Sequence, residues 1–373
     1  EIRQKQGSGR GILGNKIPNM DATFNWPQIL TILLEKSDLN REQASWAMRE
    51  IMSGEASESQ VGAFMMALRS KGESVDELAG LVDVMLDHAV ILDTGSDAID
   101  IVGTGGDMVG TVNVSTMASI VASAMGYPVM KHGSRSASGK TGSSEMLEVL
   151  GVRLDLSPER VADIFREQGI TFFFAPVFHP AMRHVAPIRR QLGVPTTFNF
   201  LGPLANPAQP IATSLGVANA AVAPLMAAEV AARGRTALVF RGDDGLDELT
   251  TTAGSTIWQV TPGKVEQLRL EPSELGLTQV NLQVLVGGDA HENAEVARSL
   301  FAGACGAQLD AVREIVALNA AAGAVAYELA KDVSQAMRSL NERFAEQLQR
   351  AFDAIDTGAA AKKLSAWIAA SQL

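Results

Sequence analysis

Cysteine is almost absent from this chain, since Cys305 is the single one among 373 residues. A lone cysteine can form neither an internal disulfide nor a multi-cysteine zinc site, and it favours a reducing, cytoplasmic compartment. Cys305 lies in a stretch rich in alanine and glycine without an adjacent polar partner. We therefore do not expect a catalytic thiol.

Positive charge is also scarce, because 31 Lys and Arg stand against 42 Asp and Glu, for a net charge of -11. A protein that binds nucleic acid needs a basic face to displace counterions from the phosphates. Anionic membrane surfaces attract basic segments for the same reason. The charge balance predicts neither nucleic acid nor a membrane as a partner.

Long apolar runs are missing as well. Residues 1–19 are polar and glycine-rich and lack the apolar run of a signal peptide, so we expect a disordered extension or an expression remnant there. The most apolar later stretch, residues 311–330, carries Arg313, Glu314 and Glu328. That is not the pattern of a membrane span.

Two widespread phosphate-binding fingerprints fail in this chain. The dinucleotide pattern set by Gly103 and Gly105 needs a third glycine at position 108, where Met108 stands. The P-loop pattern that would end at residues 139–141 needs a glycine at position 134, where Ser134 stands. Neither a Rossmann dinucleotide site nor a P-loop NTPase is predicted.

Residues 25–92 carry helix signals only. Three capping boxes, at 40–43, 57–60 and 74–77, each open a periodic apolar segment. We expect a small all-helical N-terminal domain over residues 20–93, with part of about 180–210 added to it.

After residue 98, short apolar runs alternate with helix-like segments. This alternation predicts a larger α/β domain with a mostly parallel central sheet flanked by helices, over residues 94–179 and 211–373. Strands are expected at 99–102, 129–130, 170–174, 237–240 and 256–260. Helices are expected at 115–125, at 143–150, from 158, and from 290 onward, closing with 333–355 and 359–370.

The first expected strand ends in a glycine-rich loop, Gly103-Thr-Gly-Gly-Asp107, and hydroxyl and amide side chains follow at 111–116. Glycine lets the backbone approach a ligand closely, and a helix N-terminus favours anions. A plain strand-to-helix turn would use the same glycines. The polar cluster that follows favours a phosphate site.

A second polar loop, residues 131–144, follows the next expected strand. It contains three cations, Lys131, Arg135 and Lys140, together with a histidine and several hydroxyls. A solvated basic loop is the alternative interpretation. Because both loops follow strands of one parallel sheet, we expect them to lie side by side and to bind a ligand with several phosphates.

Two further clusters complete the candidate site. His179, followed by Pro180 and one helix later by Arg189, could hold a planar anion, although His179 alone would equally serve as a capping or packed histidine. Four carboxylates, Asp243, Asp244, Asp247 and Glu248, follow the strand at 237–240 and suggest a hard divalent ion, although such loops are often solvated turns.

In this order and spacing, the segments resemble the anthranilate phosphoribosyltransferase family, from about Trp26 to Leu373. The specific signal is the ordered set GTGGD at 103–107, NVST at 113–116, KHGSRS at 131–136, FHPAM at 178–182, FNFLGPLANPA at 198–208 and GLDE at 245–248. The resemblance implies an active site in the cleft between a helical and an α/β domain, and a homodimer through the helical domain. It also implies phosphoribosyl transfer from 5-phosphoribosyl diphosphate to the amine of anthranilate, with Mg²⁺ as cofactor, in tryptophan biosynthesis.

The resemblance also assigns roles residue by residue. It gives substrate binding to Gly103, Gly106, Asp107, Thr111, Asn113, Val114, Ser115, Thr116, Lys131, His132, Gly133, Ser134, Arg135, Ser136, Gly139, Ser143, His179, Arg189 and Gly202. It gives magnesium to Ser115, Asp247 and Glu248, and the surroundings of anthranilate to His132, His179, Arg189 and Gly202. Lys131, His132 and Arg189 are the catalytic candidates, with His132 either a proton acceptor or a passive contact.

One position departs from the family pattern. Ser134 stands where the family usually has asparagine, whose amide helps to hold anthranilate. Serine is shorter and has one donor fewer. Weaker acceptor binding, a changed pose or a bridging water could follow.

Two other functions share parts of this pattern. A pyrimidine nucleoside phosphorylase has the same architecture and similar loops but needs no metal, and the Asp247–Glu248 pair with the FNFLG run at 198–202 favours the transferase. A non-catalytic relative that binds nucleic acid is the second alternative. The net charge and the full set of phosphate-site residues speak against it.

Overall fold

The computed structural model describes residues 24–92, 94–135 and 141–373. Its N-terminal part is helical, as the capping signals predict. The helices are α1 (Trp26–Leu34), α2 (Arg41–Met52), α3 (Glu58–Lys71) and α4 (Val75–Asp87). All three predicted capping boxes form, and in the first one Asn40 accepts the N–H of Gln43 at 2.9 Å while Gln43 accepts the N–H of Asn40 at 3.0 Å.

Strands and helices alternate from residue 99. The first group is β1 (Ile99–Gly103), α5 (Val114–Ala124), β2 (Val129–Gly133), α6 (Ser143–Leu150), α7 (Pro158–Gln168) and β3 (Ile170–Phe174). Short helices follow, α8 (Ala175–Phe178), α9 (Ala186–Leu192) and α10 (Phe198–Leu201), with 3-10 segments at Pro180–His184 and Gly202–Leu204. The sheet is completed by β4 (Ala212–Gly216), α11 (Ala223–Ala232), β5 (Thr236–Gly242), β6 (Ser255–Thr261) and β7 (Lys264–Leu270).

The seven strands form one sheet in the order β3-β2-β1-β4-β5-β6-β7. The first five strands in this order pair in parallel, and β6 and β7 continue antiparallel. The mostly parallel sheet is therefore confirmed, and the carboxyl ends of five strands share one edge. The sequence analysis did not predict β4 and β7.

The C-terminal part is helical, with α12 (Ala290–Phe301), α13 (Ala307–Lys331), α14 (Leu340–Asp356) and α15 (Ala359–Gln372). Further 3-10 segments are Pro272–Leu275, Leu282–Leu285 and Val333–Met337. The single helix predicted over 333–355 is wrong, because Arg338 is extended, with φ -83° and ψ 153°, and separates a 3-10 turn from α14.

The sheet has a hydrophobic core on each face. Along β5, Leu238 and Phe240 pack into the core that contains α5 and α13. The alternate residues Ala237 and Val239 pack into the core that contains α11 and the N-terminal helices. This period of two shows that β5 is buried on both faces. The fold class is confirmed, while the predicted domain boundaries stay a prediction.

Throughout residues 24–92, 94–135 and 141–373, each helix is either too short or too polar to cross a bilayer.

Candidate active site

The predicted loops meet at the carboxyl edge of the sheet. The loop after β5 crosses the end of β4 and reaches the end of β1. There the backbone N–H of Gly105 donates to Oδ2 of Asp247 at 2.7 Å. The glycine loop and the acidic pair, predicted separately, therefore form one site.

The side chain of Asp247 lies so close to the end of β1 that only glycine fits at position 103. A Cβ on Gly103 would collide with the carboxylate of Asp247. The next two glycines have left-handed backbone, with φ of 67° at Gly105 and 85° at Gly106. A positive φ costs little only for glycine, so these two positions favour glycine over other residues. Asp107 completes the loop by accepting the N–H of Val109 at 3.0 Å.

The N-terminus of α5 opens onto the same edge. Asn113 precedes the helix; its amide nitrogen donates to the carbonyl of Thr141 at 3.4 Å, and its amide oxygen accepts from Nδ2 of Asn293 at 2.9 Å. Val114 is buried, and the buried hydroxyl of Thr116 has no partner among the described residues. The unpaired Thr116 hydroxyl, together with the free N–H groups of a helix N-terminus, suits an anionic ligand.

Upstream of α5, Thr111 forms an isolated bridge with Val286. This bridge ties the glycine loop to the segment before α12. Thr111 is thus held between the glycine loop and the N-terminus of α5, and its role in substrate binding stays a prediction.

The acidic pair is buried, with Asp247 and Glu248 each 8% exposed. Burial, together with repulsion from Asp107, raises the pKa of Asp247 to about 7. Burial and the neighbouring Asp247 raise the pKa of Glu248 well above its usual range, against the attraction of Lys131. Two adjacent acids held this way create a strong local demand for a cation.

Lys131 lies beneath this pair instead of pointing at solvent. Its ammonium donates to the carbonyl of Ile101 at 2.5 Å and to Oγ of Ser115 at 3.4 Å. Burial lowers its pKa, and the opposing attraction comes from Asp100, Glu248 and Asp247. Lys131 is thus a buried charge in the floor of the site.

The donor set fits Mg²⁺ only with help from a ligand. Within the described chain, no three His, Cys, Asp or Glu side chains converge on one point. Mg²⁺ prefers oxygen ligands and is commonly held by one or two carboxylates plus substrate phosphates and waters. This pattern is matched by the carboxylates of Asp247 and Glu248 together with the hydroxyl of Ser115. That hydroxyl lies within reach of Lys131.

Of the four carboxylates that follow β5, the first two have partners of their own, and the metal-binding role of the other two stays a prediction. Asp243 forms an ion pair with Arg269 of β7. Asp244 accepts hydrogen bonds from the hydroxyls of Thr250 and Thr252. These partners stabilise the loop and leave Asp247 and Glu248 as the acids that face the glycine loop.

Two histidines lie together on the other side of the site. The rings of His132 and His179 are 5.1 Å apart between centroids. Nδ1 of His132 lies 3.2 Å from the carbonyl of Gly202, and Nε2 of His179 lies 2.9 Å from the carbonyl of Ala205. Because a carbonyl only accepts, each of these ring nitrogens carries the proton.

This arrangement leaves Nε2 of His132 as a bare acceptor, buried and without a partner in the described structure. Burial and the neighbouring His179 lower the pKa of His132 to about 3. Burial lowers the pKa of His179 to about 4. Both rings are neutral near pH 7, so His132 is a weak base and a good hydrogen-bond acceptor.

Arg189 of α9 is half-buried, and burial lowers its pKa. No described residue forms a hydrogen bond or ion pair with its guanidinium. It therefore remains a candidate for an anionic substrate group, as the sequence predicted.

The second polar loop is only partly described. Gly133 ends β2 and touches Ser143 of α6, because a Cβ on this glycine would collide with the Ser143 hydroxyl. Arg135 pairs with Glu148 at 2.9 Å, and Ser134 is exposed. Ser136 and Gly139 lie outside the described residues.

Sequence reasoning missed two buried residues that support this site. Asp100 of β1 accepts the backbone N–H of His132 at 3.2 Å and the amide of Asn206 at 2.9 Å. Asn206 also donates to the carbonyl of Met130 at 2.8 Å. Asn206 stands inside the motif at 198–208, and the signal for Asp100 was a carboxylate within the apolar strand run at 99–102.

Known proteins match this geometry and the motif order. A family model described as glycosyl transferase family, a/b domain, matches residues 95–361, and its helical bundle domain model matches residues 27–89. Anthranilate phosphoribosyltransferase of Leifsonia xyli subsp. xyli is 52% identical over 353 residues, which cover 95% of this chain and 100% of the relative. The enzyme of Streptomyces griseus subsp. griseus is 50% identical over 350 residues, which cover 94% of this chain and 96% of the relative.

Solved structures give the same result. The crystal structure of anthranilate phosphoribosyltransferase from Thermus thermophilus superposes with a TM-score of 0.82 at 39% identity, covering 92% of this chain and 99% of that one. The enzyme from Saccharomyces cerevisiae, in complex with PRPP and Mg, also has a TM-score of 0.82, at 28% identity over 93% of this chain and 98% of that one. The resemblance predicted from the motifs is confirmed, and the chain belongs to the anthranilate phosphoribosyltransferase family.

Proposed function

We propose that this chain transfers the phosphoribosyl group of 5-phosphoribosyl diphosphate to the amine of anthranilate. The products are pyrophosphate and N-(5-phosphoribosyl)anthranilate, in the second step of tryptophan biosynthesis. The observation that carries the proposal is the bond between Gly105 and Asp247, which joins an anion-binding loop to a cation-binding pair. The family relationship supports the same reaction.

The diphosphate would lie over the loop Gly103–Asp107 and the N-terminus of α5. Backbone N–H groups and the Thr116 hydroxyl supply donors, and the helix dipole adds positive potential. Lys131, held in the floor by Ile101, adds fixed positive charge. Donors fixed in advance stabilise charge that develops on a leaving group without reorganising.

Asp247, Glu248 and Ser115 are the residues that would hold Mg²⁺. When bound there, the ion would neutralise negative charge on the departing pyrophosphate. The two carboxylates need a cation because their burial is otherwise unfavourable, as their raised pKa values indicate.

The acceptor would occupy the side of the two histidines. The amine of anthranilate is a poor nucleophile, because its lone pair is delocalised into the ring, so positioning has to provide much of the rate. Arg189 would orient the carboxylate of anthranilate, and Nε2 of His132 would accept a hydrogen bond from the amine. Alignment of two substrates is worth roughly 7–11 kcal/mol in favourable cases.

Fluorescence of anthranilate tests the proposal directly. Purified protein with 5-phosphoribosyl diphosphate and Mg²⁺ should consume anthranilate, and chelation of the metal should stop it. The double variant Asp247→Asn, Glu248→Gln should fold and lose most activity, whereas Asp243→Asn, which changes the acid paired with Arg269, should keep it. No loss of anthranilate signal with the unaltered chain would remove the transferase function.

The same protein also tests the phosphorylase alternative. A pyrimidine nucleoside with inorganic phosphate should give no free base, with or without metal. Release of the base without metal, together with no anthranilate consumption, would favour the phosphorylase.

A homodimer through the helical domain and a cytoplasmic location are part of the proposal. Leu34 of α1 is 73% exposed and Met66 of α3 is 39% exposed, which gives this domain apolar surface for a partner copy. Light scattering of the unaltered chain should give twice the monomer mass. The variant Leu34→Glu should give a lower average mass, because it places a charge on the proposed dimer surface. A monomer at all concentrations would contradict the dimer.

A further inference from the structure

A polar cavity of about 240 Å³ lies among the C-terminal helices. It is bounded by α13, by the 3-10 segment Val333–Met337 and by the first turns of α14. Its lining residues are Val325, Glu328, Gln335, Arg338, Arg343, Glu346 and Gln347. None of these belongs to the candidate active site, so the transfer reaction gives them no role.

Arg343 is the unusual member of this lining. Its side chain is buried, with the residue 4% exposed, and its Nη2 donates to Oε1 of Gln259 on β6 at 2.6 Å. Its Nε and Nη1 atoms are buried without a hydrogen-bond partner in the part of the chain that the structure describes. No described carboxylate forms an ion pair with it.

The other polar groups of the cavity have partners. Arg338 pairs with Glu346 at 2.5 Å and donates to Gln335 at 3.3 Å. Glu328 accepts from the hydroxyl of Tyr127 at 2.9 Å. The unmet donors are therefore concentrated on Arg343.

The same Tyr127 hydroxyl lies 2.9 Å from Oε1 of Gln347, which also accepts from Arg350 at 3.0 Å. Gln347 is thus fixed by its neighbours and does not turn its oxygen toward Arg343. A buried guanidinium that forms no ion pair and keeps two unmet donors is unfavourable, since the attraction of Glu266 is opposed by the repulsion of Arg338. An oxyanion would supply both a direct counter-charge and the acceptors.

We propose that this cavity binds a small oxyanion through Nε and Nη1 of Arg343. The volume admits a small molecule and no polymer. Two of the lining residues, Glu328 and Glu346, are carboxylates, and their repulsion disfavours a multiply charged ligand. We therefore expect a monocarboxylate to bind more tightly than a phosphate.

Fluorine NMR of the full chain tests this site with two probes, trifluoroacetate for carboxylates and monofluorophosphate for phosphates. Arg343 lies outside the candidate active site, so the part of the broadening that Arg343→Met removes comes from this cavity. The unaltered chain should broaden the trifluoroacetate signal, and Arg343→Met should weaken this binding at least tenfold. The matched control is Arg313→Met, which removes an arginine of α13 already paired with Asp356 and should leave the broadening unchanged.

Two outcomes would overturn the proposal. One is that neither probe is broadened by the unaltered chain, which would mean that water alone fills the cavity. The other is equal broadening by the unaltered chain and by Arg343→Met. If that variant does not fold, Arg343→Lys, which keeps the charge with fewer donors, should still weaken binding. Stronger broadening of monofluorophosphate that depends on Arg343 would keep the oxyanion site and overturn the carboxylate preference.

Discussion

The backbone N–H of Gly105 donates a 2.7 Å hydrogen bond to Oδ2 of Asp247, which lies 142 residues later in the chain. The bond joins the loop after β1 to the loop after β5. Since β4 lies between these strands, the acidic loop has to cross its end to make the contact. We therefore predict that diphosphate binding and metal binding are coupled through this contact.

A methyl group at position 103 should break this coupling. In Gly103→Ala, Cβ would collide with the carboxylate of Asp247, so that side chain must move. Misplacement by about 1 Å can reduce turnover on the order of 100-fold, and we expect a loss of that size. Steady-state kinetics with varied Mg²⁺ measures it.

Gly62→Ala is the matched control, because a Cβ at this α3 position meets only Ile188, at 3.8 Å. Its activity should be unchanged, and its unfolding free energy should rise by up to about 1 kcal/mol through helix propensity. Full activity of Gly103→Ala would contradict the close approach at β1.

Asn319 of α13 should act as a positioning residue for the acidic pair. It accepts the N–H of Leu249 at 3.0 Å and donates to the carbonyl of Leu249 at 2.8 Å, directly after Glu248. Asn319→Ala leaves both backbone groups buried and unpaired, which should cost about 3 kcal/mol of unfolding free energy. The Mg²⁺ concentration for half-maximal rate should rise about tenfold, in line with a misplaced ligand.

Asn341, which is half-buried and forms a solvent-exposed hydrogen bond to Glu274 at 2.6 Å, provides the control. Asn341→Ala should change the unfolding free energy by less than about 0.5 kcal/mol and leave the metal requirement alone. An unaltered metal requirement in Asn319→Ala, with stability reduced, would limit Asn319 to a structural role.

The neutral histidines predict a pH dependence of stability. The pKa of His179 is lowered to about 4 in the folded state, so the unfolded chain binds more protons between its ordinary pKa and about 4. Stability is therefore lost as pH falls through this window, by up to about 1.4 kcal/mol per pH unit.

His179→Gln should remove this term while its amide can still donate to the carbonyl of Ala205. Urea unfolding at pH 8, 6 and 5 should show a shallower decline for the variant than for the unaltered chain. The pH 8 point, where histidine is neutral in both states, is the internal control. Parallel declines would mean that His179 titrates normally in the fold.

Ser134→Asn should improve acceptor binding. Ser134 is exposed just after β2, two residues beyond His132, and asparagine adds an amide donor at the position where the family usually has one. The KM for anthranilate should fall while the KM for the diphosphate stays constant. An unaltered KM for anthranilate would mean that serine is no handicap here.

Local chemistry made much of this protein predictable. The capping boxes at Asn40, Ser57 and Ser74 form because they depend only on residues three positions apart. The boundaries of β3 and α6 were predicted correctly, because an almost wholly apolar run and a periodic helix are local signals. The family motifs added the site residues that local patterns could only suggest.

Long-range contacts decided the rest. β4, with its short mixed sequence, is a strand because β1 and β5 pair with it on both sides. Asp243 and Asp247 look alike in the sequence, but Arg269 holds the first at the surface while Gly105 binds the second in the site.

The sequence by itself determined the helical start, the alternating strands and the motifs of the candidate phosphate site. Only the tertiary structure decided which acids share the site, that Lys131 lies under them, and that His132 and His179 are neutral neighbours. The physical reason is that burial and charge pairing act between residues far apart in the chain. No local pattern encodes a desolvation free energy or a counter-charge that arrives from another strand.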